Sequence, residues 1–119
     1  MDASGSIGAT NFNLMKSFLS HLVSQMDVDS GSTRVGLVTF SSLVGSSFNL
    51  SGHNTIASMQ RAISRLTYSQ SGTNTAAALA YVRTTILTSE AGDRGNVLNV
   101  VVVITDGDSD NPNATKVRK

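Results

Sequence analysis

The 119-residue chain contains no cysteine. That absence excludes a disulfide scaffold and a thiolate metal site, and it leaves the redox compartment open. Charge is sparse too: 14% of residues are charged, with nine Lys and Arg against eight Asp and Glu, for a net +1. No basic patch or acidic tail forms from so few charges, so neither nucleic acid nor an anionic membrane is an expected partner. The exterior must be made polar largely by Ser, Thr and Asn. No apolar run is long enough to cross a bilayer, so direct membrane insertion is not expected. No secretory leader is legible, because the polar stretch "DASGSIG" stands where its apolar segment would be. The expectation is either an intracellular protein or a piece of something longer. Asn49-Leu50-Ser51 and Asn113-Ala114-Thr115 are formal sequons. About two are expected by chance in a chain this rich in Ser and Thr, so they do not argue for secretion.

What is present is a regular alternation of patterns. Leu14, Met15, Phe18, Leu19, Leu22, Val23 and Met26 form a helical stripe that predicts a helix from Asn11 to about Asp27, capped by Thr10. "RVGLVTF", Arg34 to Phe40, reads as a strand, and "LVGSSFNL" as a second, weaker one. The short gap between them predicts an antiparallel hairpin. Ile56, Met59, Ile63 and Leu66 repeat at helical spacing behind a cap at Asn54 or Thr55. "YSQSGTNT" is a loop, "AAALAYVRTTIL" a helix and "SEAGDRGN" a loop. "VLNVVVVITD" is the most apolar strand pattern in the chain, of the kind buried on both faces of a parallel sheet. Met15, Met26 and Met59 are core candidates, and His21 and His53 read as surface residues. The order predicts an α/β fold, a doubly wound and mostly parallel sheet with one antiparallel edge strand.

In such sheets, ligands bind at the carboxyl ends of the strands. Asp106 ends the last strand, and Asp2 falls on the same rim if it ends an earlier parallel one. Three polar loops then converge: Asp2/Ser4/Ser6, Thr73/Thr75 and Asp106/Asp108. All their donors are oxygens, which suits a hard cation, Mg²⁺ or else Mn²⁺. The alternation in Asp-x-Ser-x-Ser puts its side chains on one side of an extended loop. Gly5 and Gly8 let the backbone turn tightly and approach the ion. Each motif also has a plainer reading: a capped turn for Asp2, Ser4 and Ser6, a loop residue for Thr73, a strand-ending turn for Asp106-Gly107, and solvated carboxylates for Asp108 and Asp110.

"DASGSIG", "GTNTAAAL" and "VVVVITDGD" resemble, in order and spacing, the three metal-site loops of von Willebrand factor type A domains, including integrin I domains. "RVGLVTFSS" resembles the strand between the first two loops. The resemblance implies a metal-ion-dependent adhesion site with Asp2, Ser4, Ser6, Thr73 and Asp106 as its metal residues. Ser4, Ser6 and Thr73 would be direct ligands, and Asp2 and Asp106 would act directly or through water. A Glu or Asp of a protein partner, possibly in the extracellular matrix, would complete the octahedron. Thr75 is expected as a helix cap. The implied function is cation-dependent protein binding, extracellular or at the cell surface as part of a longer protein, and not catalysis.

The resemblance also implies a strand before Asp2 and elements after "ITDGD". Residues 1–119 therefore read as a partial domain, with the apolar strands facing an empty slot. Two other classes are carried. An intracellular A-type domain serving a chaperone, chelatase or repair assembly fits the absence of a leader. A hydrolase fits "SGSIG" poorly, because Ser4 stands where a nucleophile elbow needs glycine and no histidine is placed as a base.

Overall fold

The computed structural model describes residues 1–106. The first helix, α1, runs from Ala9 to Ser24. Its N-cap is Gly8 at φ 82°, not the expected Thr10. A left-handed φ costs a side chain dearly and a glycine little, so the glycine sets the start. The helix buries Phe12 and Val23, with Met15, Leu19 and Met26 packed beside them. Leu14 and Phe18 were expected in this core but stand 62% and 54% exposed. Met15, Leu19, Val23 and Met26 of the predicted stripe do face the core; its edge lies at Phe12 rather than at Leu14 and Phe18.

Strands β1 (Leu37–Phe40) and β2 (Val44–Phe48) form the expected antiparallel hairpin, paired Leu37 with Phe48 and Val38 with Ser47. Helix α2 (Ile56–Ser64) is capped by Thr55, whose side chain accepts from Ser58 N at 3.1 Å. It buries Met59 and Ile63 against α1. Helix α3 (Thr75–Tyr81) is capped by Asn74, whose Oδ1 accepts from Ala77 N at 3.0 Å. Thr75, expected as the cap, is instead the buried first residue of the helix. A π-helical turn, Val82–Ile86, and a 3₁₀ turn, Ser89–Ala91, follow. His53 is half-buried rather than on the surface: it hydrogen-bonds Ser58 Oγ at 2.6 Å and meets the Phe48 ring edge-on at 5.0 Å.

The fold is α/β, as expected. Its parallel part is slight. Asp2 bridges Phe40 in parallel, and Asp2 N donates to Ile104 O at 2.8 Å. Four segments thus lie side by side in the order 100–104, Met1–Ala3, β1, β2. The run "VLNVVVVI" is not the buried strand that its composition predicts. It forms no ladder, and Leu98, Val100 and Val102 are 87%, 77% and 64% exposed. A strand becomes a strand only beside a partner, and among the described residues this run meets one only at Ile104.

Candidate metal centre

The site begins with a carboxylate that water does not reach. Asp2 is fully buried, and Ser4 nearly so. The backbone of Met1–Ala3 holds it there: Ala3 N donates to Phe40 O at 2.7 Å, Phe40 N to Met1 O at 3.1 Å, and the Met1 amino group to Val38 O at 2.9 Å. Asp2 Oδ1 accepts from Ser4 N at 2.8 Å, which folds the first loop back on its own aspartate. Asp2 Oδ2 accepts from the Thr105 hydroxyl at 2.8 Å. Both of these donors are neutral. A buried carboxylate whose donors, among the described residues, are neutral is matched to a nearby cation. The neighbouring positive group is the Met1 amine, which burial pushes down to about 6 while Asp2 pulls it up.

The Ser4 and Ser6 hydroxyls lie 3.2 Å apart, Ser4 buried and Ser6 exposed. They form a pair that opens outward from the carboxylate. Gly5 sits between them. A Cβ there would stand 3.1 Å from Gln70 O, tighter than an ordinary contact, so the close approach of loops 2–6 and 68–74 favours glycine.

Loop 68–74 is sewn to the first loop along its length. Gln70 N donates to Ala3 O at 3.1 Å, Gly5 N to Ser71 O at 2.8 Å, and Ser69 Oγ to Ala3 O at 3.2 Å. The Tyr68 hydroxyl donates to Gly5 O and accepts from Gly8 N, both at 3.0 Å, with its ring 5.3 Å from that of Phe12. The hairpin tip joins in: Gly72 N donates to Ser42 Oγ at 2.8 Å, Ser42 N to Ser71 Oγ at 3.2 Å, and Asn74 N to Ser41 O at 2.7 Å. Thr73 is thereby fixed, buried, at the mouth of α3.

The structure thus gathers Asp2, Ser4 and Ser6 in one loop and anchors the Thr73 loop against it. Asp106 is exposed and directly follows Thr105, the residue bonded to Asp2. Asp108 and Asp110 lie outside the described residues. Thr105, Tyr68 and the Ser41–Ser42 tip were not singled out from sequence as parts of the site. Their roles are hydrogen bonds to distant segments, and nothing in local spacing marks them. Among the described residues, no three His, Cys, Asp or Glu side chains come together, so a cation here would rest largely on hydroxyls, as hard ions accept.

Comparison with known proteins agrees with this geometry. The family model described as von Willebrand factor type A domain matches residues 1–119. The chain is 39% identical over 111 residues to the collagen alpha-4(VI) chain of Mus musculus, covering 92% of this chain and 5% of that one. It is 37% identical over 109 residues to matrilin-1 of Homo sapiens, covering 92% and 22%. It is 36% identical over 107 residues to von Willebrand factor A domain-containing protein 2 of Xenopus laevis, covering 90% and 14%. The chain therefore spans a small part of the length of these relatives. Among solved structures it is similar to proximal thread matrix protein 1 from the mussel byssus, with a TM-score of 0.73 and 25% identity over 81% of this chain and 25% of that one. Another structure of that protein, 24% identical, is described as having a zinc-occupied MIDAS motif. These relatives are extracellular matrix proteins, in keeping with the expected extracellular or cell-surface setting. The match along the whole chain, the identities of 36–39% to these relatives and the shared fold lead to one conclusion: the chain belongs to the von Willebrand factor type A family.

Proposed function

We propose that the chain is a divalent-cation-dependent protein-binding module of the adhesion kind, acting in the extracellular matrix or at the cell surface as part of a longer protein. Asp2, Ser4, Ser6, Thr73 and Asp106 would hold Mg²⁺ or Mn²⁺. The observation that carries the reading is the buried Asp2 carboxylate, bonded among the described residues to Ser4 N and the Thr105 hydroxyl, beside the paired Ser4 and Ser6 oxygens. An ion held by few carboxylates and several neutral hydroxyls stays electron-poor and takes up an external carboxylate readily. The partner would therefore present a Glu or Asp. In this reading Asp2 supplies charge, Ser4 and Ser6 supply oxygens on the open side, and the clasp between loops 2–6 and 68–74 keeps Thr73 in place. No catalysis is assigned. His53 is engaged with Ser58 and Phe48 rather than serving as a base for Ser4 or Ser6.

Calorimetry with Mg²⁺ and Mn²⁺, with Zn²⁺ as competitor, tests the site. Saturable binding that Asp2→Asn and Ser4→Ala each weaken at least about tenfold supports it; a change of that size corresponds to losing one charge-assisted ligand. Cation binding unchanged by both substitutions, or tighter Zn²⁺ binding that depends on His21 or His53, overturns it.

A further inference from the structure

Asn49-Leu50-Ser51 is a sequon by sequence, and chance supplies such triplets. Its place in the fold sets this one apart. The triplet directly follows β2 and forms a tight turn, in which Gly52 N donates to Asn49 O at 3.1 Å. Within the turn, the third residue of the triplet orients the first. Asn49 Oδ1 accepts from Ser51 N at 3.0 Å and from the Ser51 hydroxyl at 3.1 Å. Both bonds fall on the oxygen. Among the described residues, Asn49 Nδ2 makes no hydrogen bond, and no buried side-chain nitrogen or oxygen lacks a partner. Nδ2 therefore reaches solvent with both its protons free.

The surroundings suit a saccharide. Asn49 stands on the rim of an open groove of roughly 430 Å³, which Phe48, Tyr81, Thr85, Thr88 and Glu90 also line. The groove gives a sugar ring room beside the turn, with aromatic faces for its C–H side and hydroxyls and a carboxylate for its own hydroxyls. The position also leaves the candidate metal centre clear. β2 starts beside the hairpin tip that is bonded to loop 68–74 and runs away from it. Its five residues put Asn49 roughly 15 Å from that tip.

We propose that Asn49 is an acceptor site for an N-linked saccharide. Nδ2 attacks the anomeric carbon of a saccharide carried on a lipid pyrophosphate. The carbon–nitrogen bond forms, and the bond from that carbon to the pyrophosphate oxygen breaks. The lipid pyrophosphate leaves with the electron pair, and one Nδ2 proton passes to a base of the transferase. Nothing is oxidised or reduced. The two donors on Oδ1 draw electron density toward the oxygen and make the Nδ2 protons more acidic, which favours the transfer. Both bonds span only two residues, so they form in the nascent chain before the domain folds. The acceptor role rests on the extracellular setting proposed above and not on the cation site.

The test joins the full chain to a cleavable secretory leader and translates it with microsomal membranes. Cleavage of the leader shows that the chain has reached the lumen, whatever its normal location or its affinity for cations. Failure at Asn49 is thereby distinct from failure of the adhesion reading. Peptide N-glycosidase converts a glycosylated asparagine to aspartate, and tandem mass spectrometry locates the change. Position 49 should read as aspartate in the treated, leader-cleaved chain and as asparagine when membranes are omitted. Asn49→Gln and Ser51→Ala should each abolish the modification. Ser51→Thr should retain it, and Asn113→Gln should leave it in place. An unmodified Asn49 in the leader-cleaved chain, or modification there that persists in Ser51→Ala, would overturn the proposal.

Discussion

Thr105 donates its hydroxyl to Asp2 Oδ2 at 2.8 Å, across 103 positions of sequence. The bond ties the end of the apolar run to the start of the chain and orients a carboxylate that has no access to water. Hydrogen bonds to charged groups contribute about 1.5–3 kcal/mol. Thr105→Val should destabilise the metal-free chain by about that amount, and Thr105→Ser should recover most of it. Urea unfolding with the slope held fixed is the measurement. Equal stability of the Val variant would mean that Asp2 finds another donor.

Tyr68 is a clasp between the two loops. Its hydroxyl bridges Gly5 O and Gly8 N, and its ring rests on Phe12. Tyr68→Phe keeps the ring and removes the bridge, with an expected loss of about 1–2 kcal/mol. If loop order supports the cation, Mg²⁺ affinity should fall as well. Calorimetry on the Phe variant reads both effects, and unchanged affinity would confine the role of Tyr68 to stability.

The Met1 amine gives stability a pH dependence of definite sign. Burial pushes it from its ordinary value near 8 down to about 6. The unfolded chain therefore holds more protons than the folded one between those values. Stability should rise with pH across that window, by about 2–3 kcal/mol in all. Below pH 6 the buried charge weighs fully on the fold, and above pH 8 its effect is gone. Chemical denaturation from pH 5.5 to 8.5 in the absence of divalent ions should show the rise. N-terminal acetylation, which removes the charge, should flatten it.

Thr73→Ala and Asp106→Ala separate binding from folding. Each should weaken Mn²⁺ or Mg²⁺ binding at least about tenfold, with far-ultraviolet circular dichroism nearly unchanged. Asp106 is exposed and Thr73 stands before α3 rather than within it, so neither anchors a helix. Binding of a carboxylate-bearing partner should be lost in EDTA. Binding that persists in EDTA would place recognition on another surface.

Helix and hairpin patterns were legible because they are local. Thr55 caps α2, and β1 pairs with β2, through residues a few positions apart. The first loop was legible because Asp2, Ser4 and Ser6 follow one another. The stripe of α1 was legible through Met15, Leu19, Val23 and Met26, but its edge was not, because Leu14 and Phe18 are as apolar as Phe12 and only tertiary packing chooses between them. The run 97–104 was misread as a buried strand for a different reason. Its composition reports what it can pack against, and the observed structure gives it a partner only at Ile104. Thr105 and Tyr68 were invisible because their partners are 103 and 60 or more positions away.

The stitching of the hairpin tip to loop 68–74 turns Leu43 into a reporter position. Leu43 is 77% exposed, its carbonyl accepts from Ser41 N, and Ser41 O accepts from Asn74 N beside Thr73. Ser42 is bonded on both its amide and its hydroxyl to Ser71 and Gly72. A thiol introduced at this position would be unique in a chain without cysteine, and could be labelled without touching any loop contact. A dye carried there sits at the junction of the hairpin tip and loop 68–74, so a change in its anisotropy on adding Mg²⁺ would report movement of that junction in a molecule that has no tryptophan of its own.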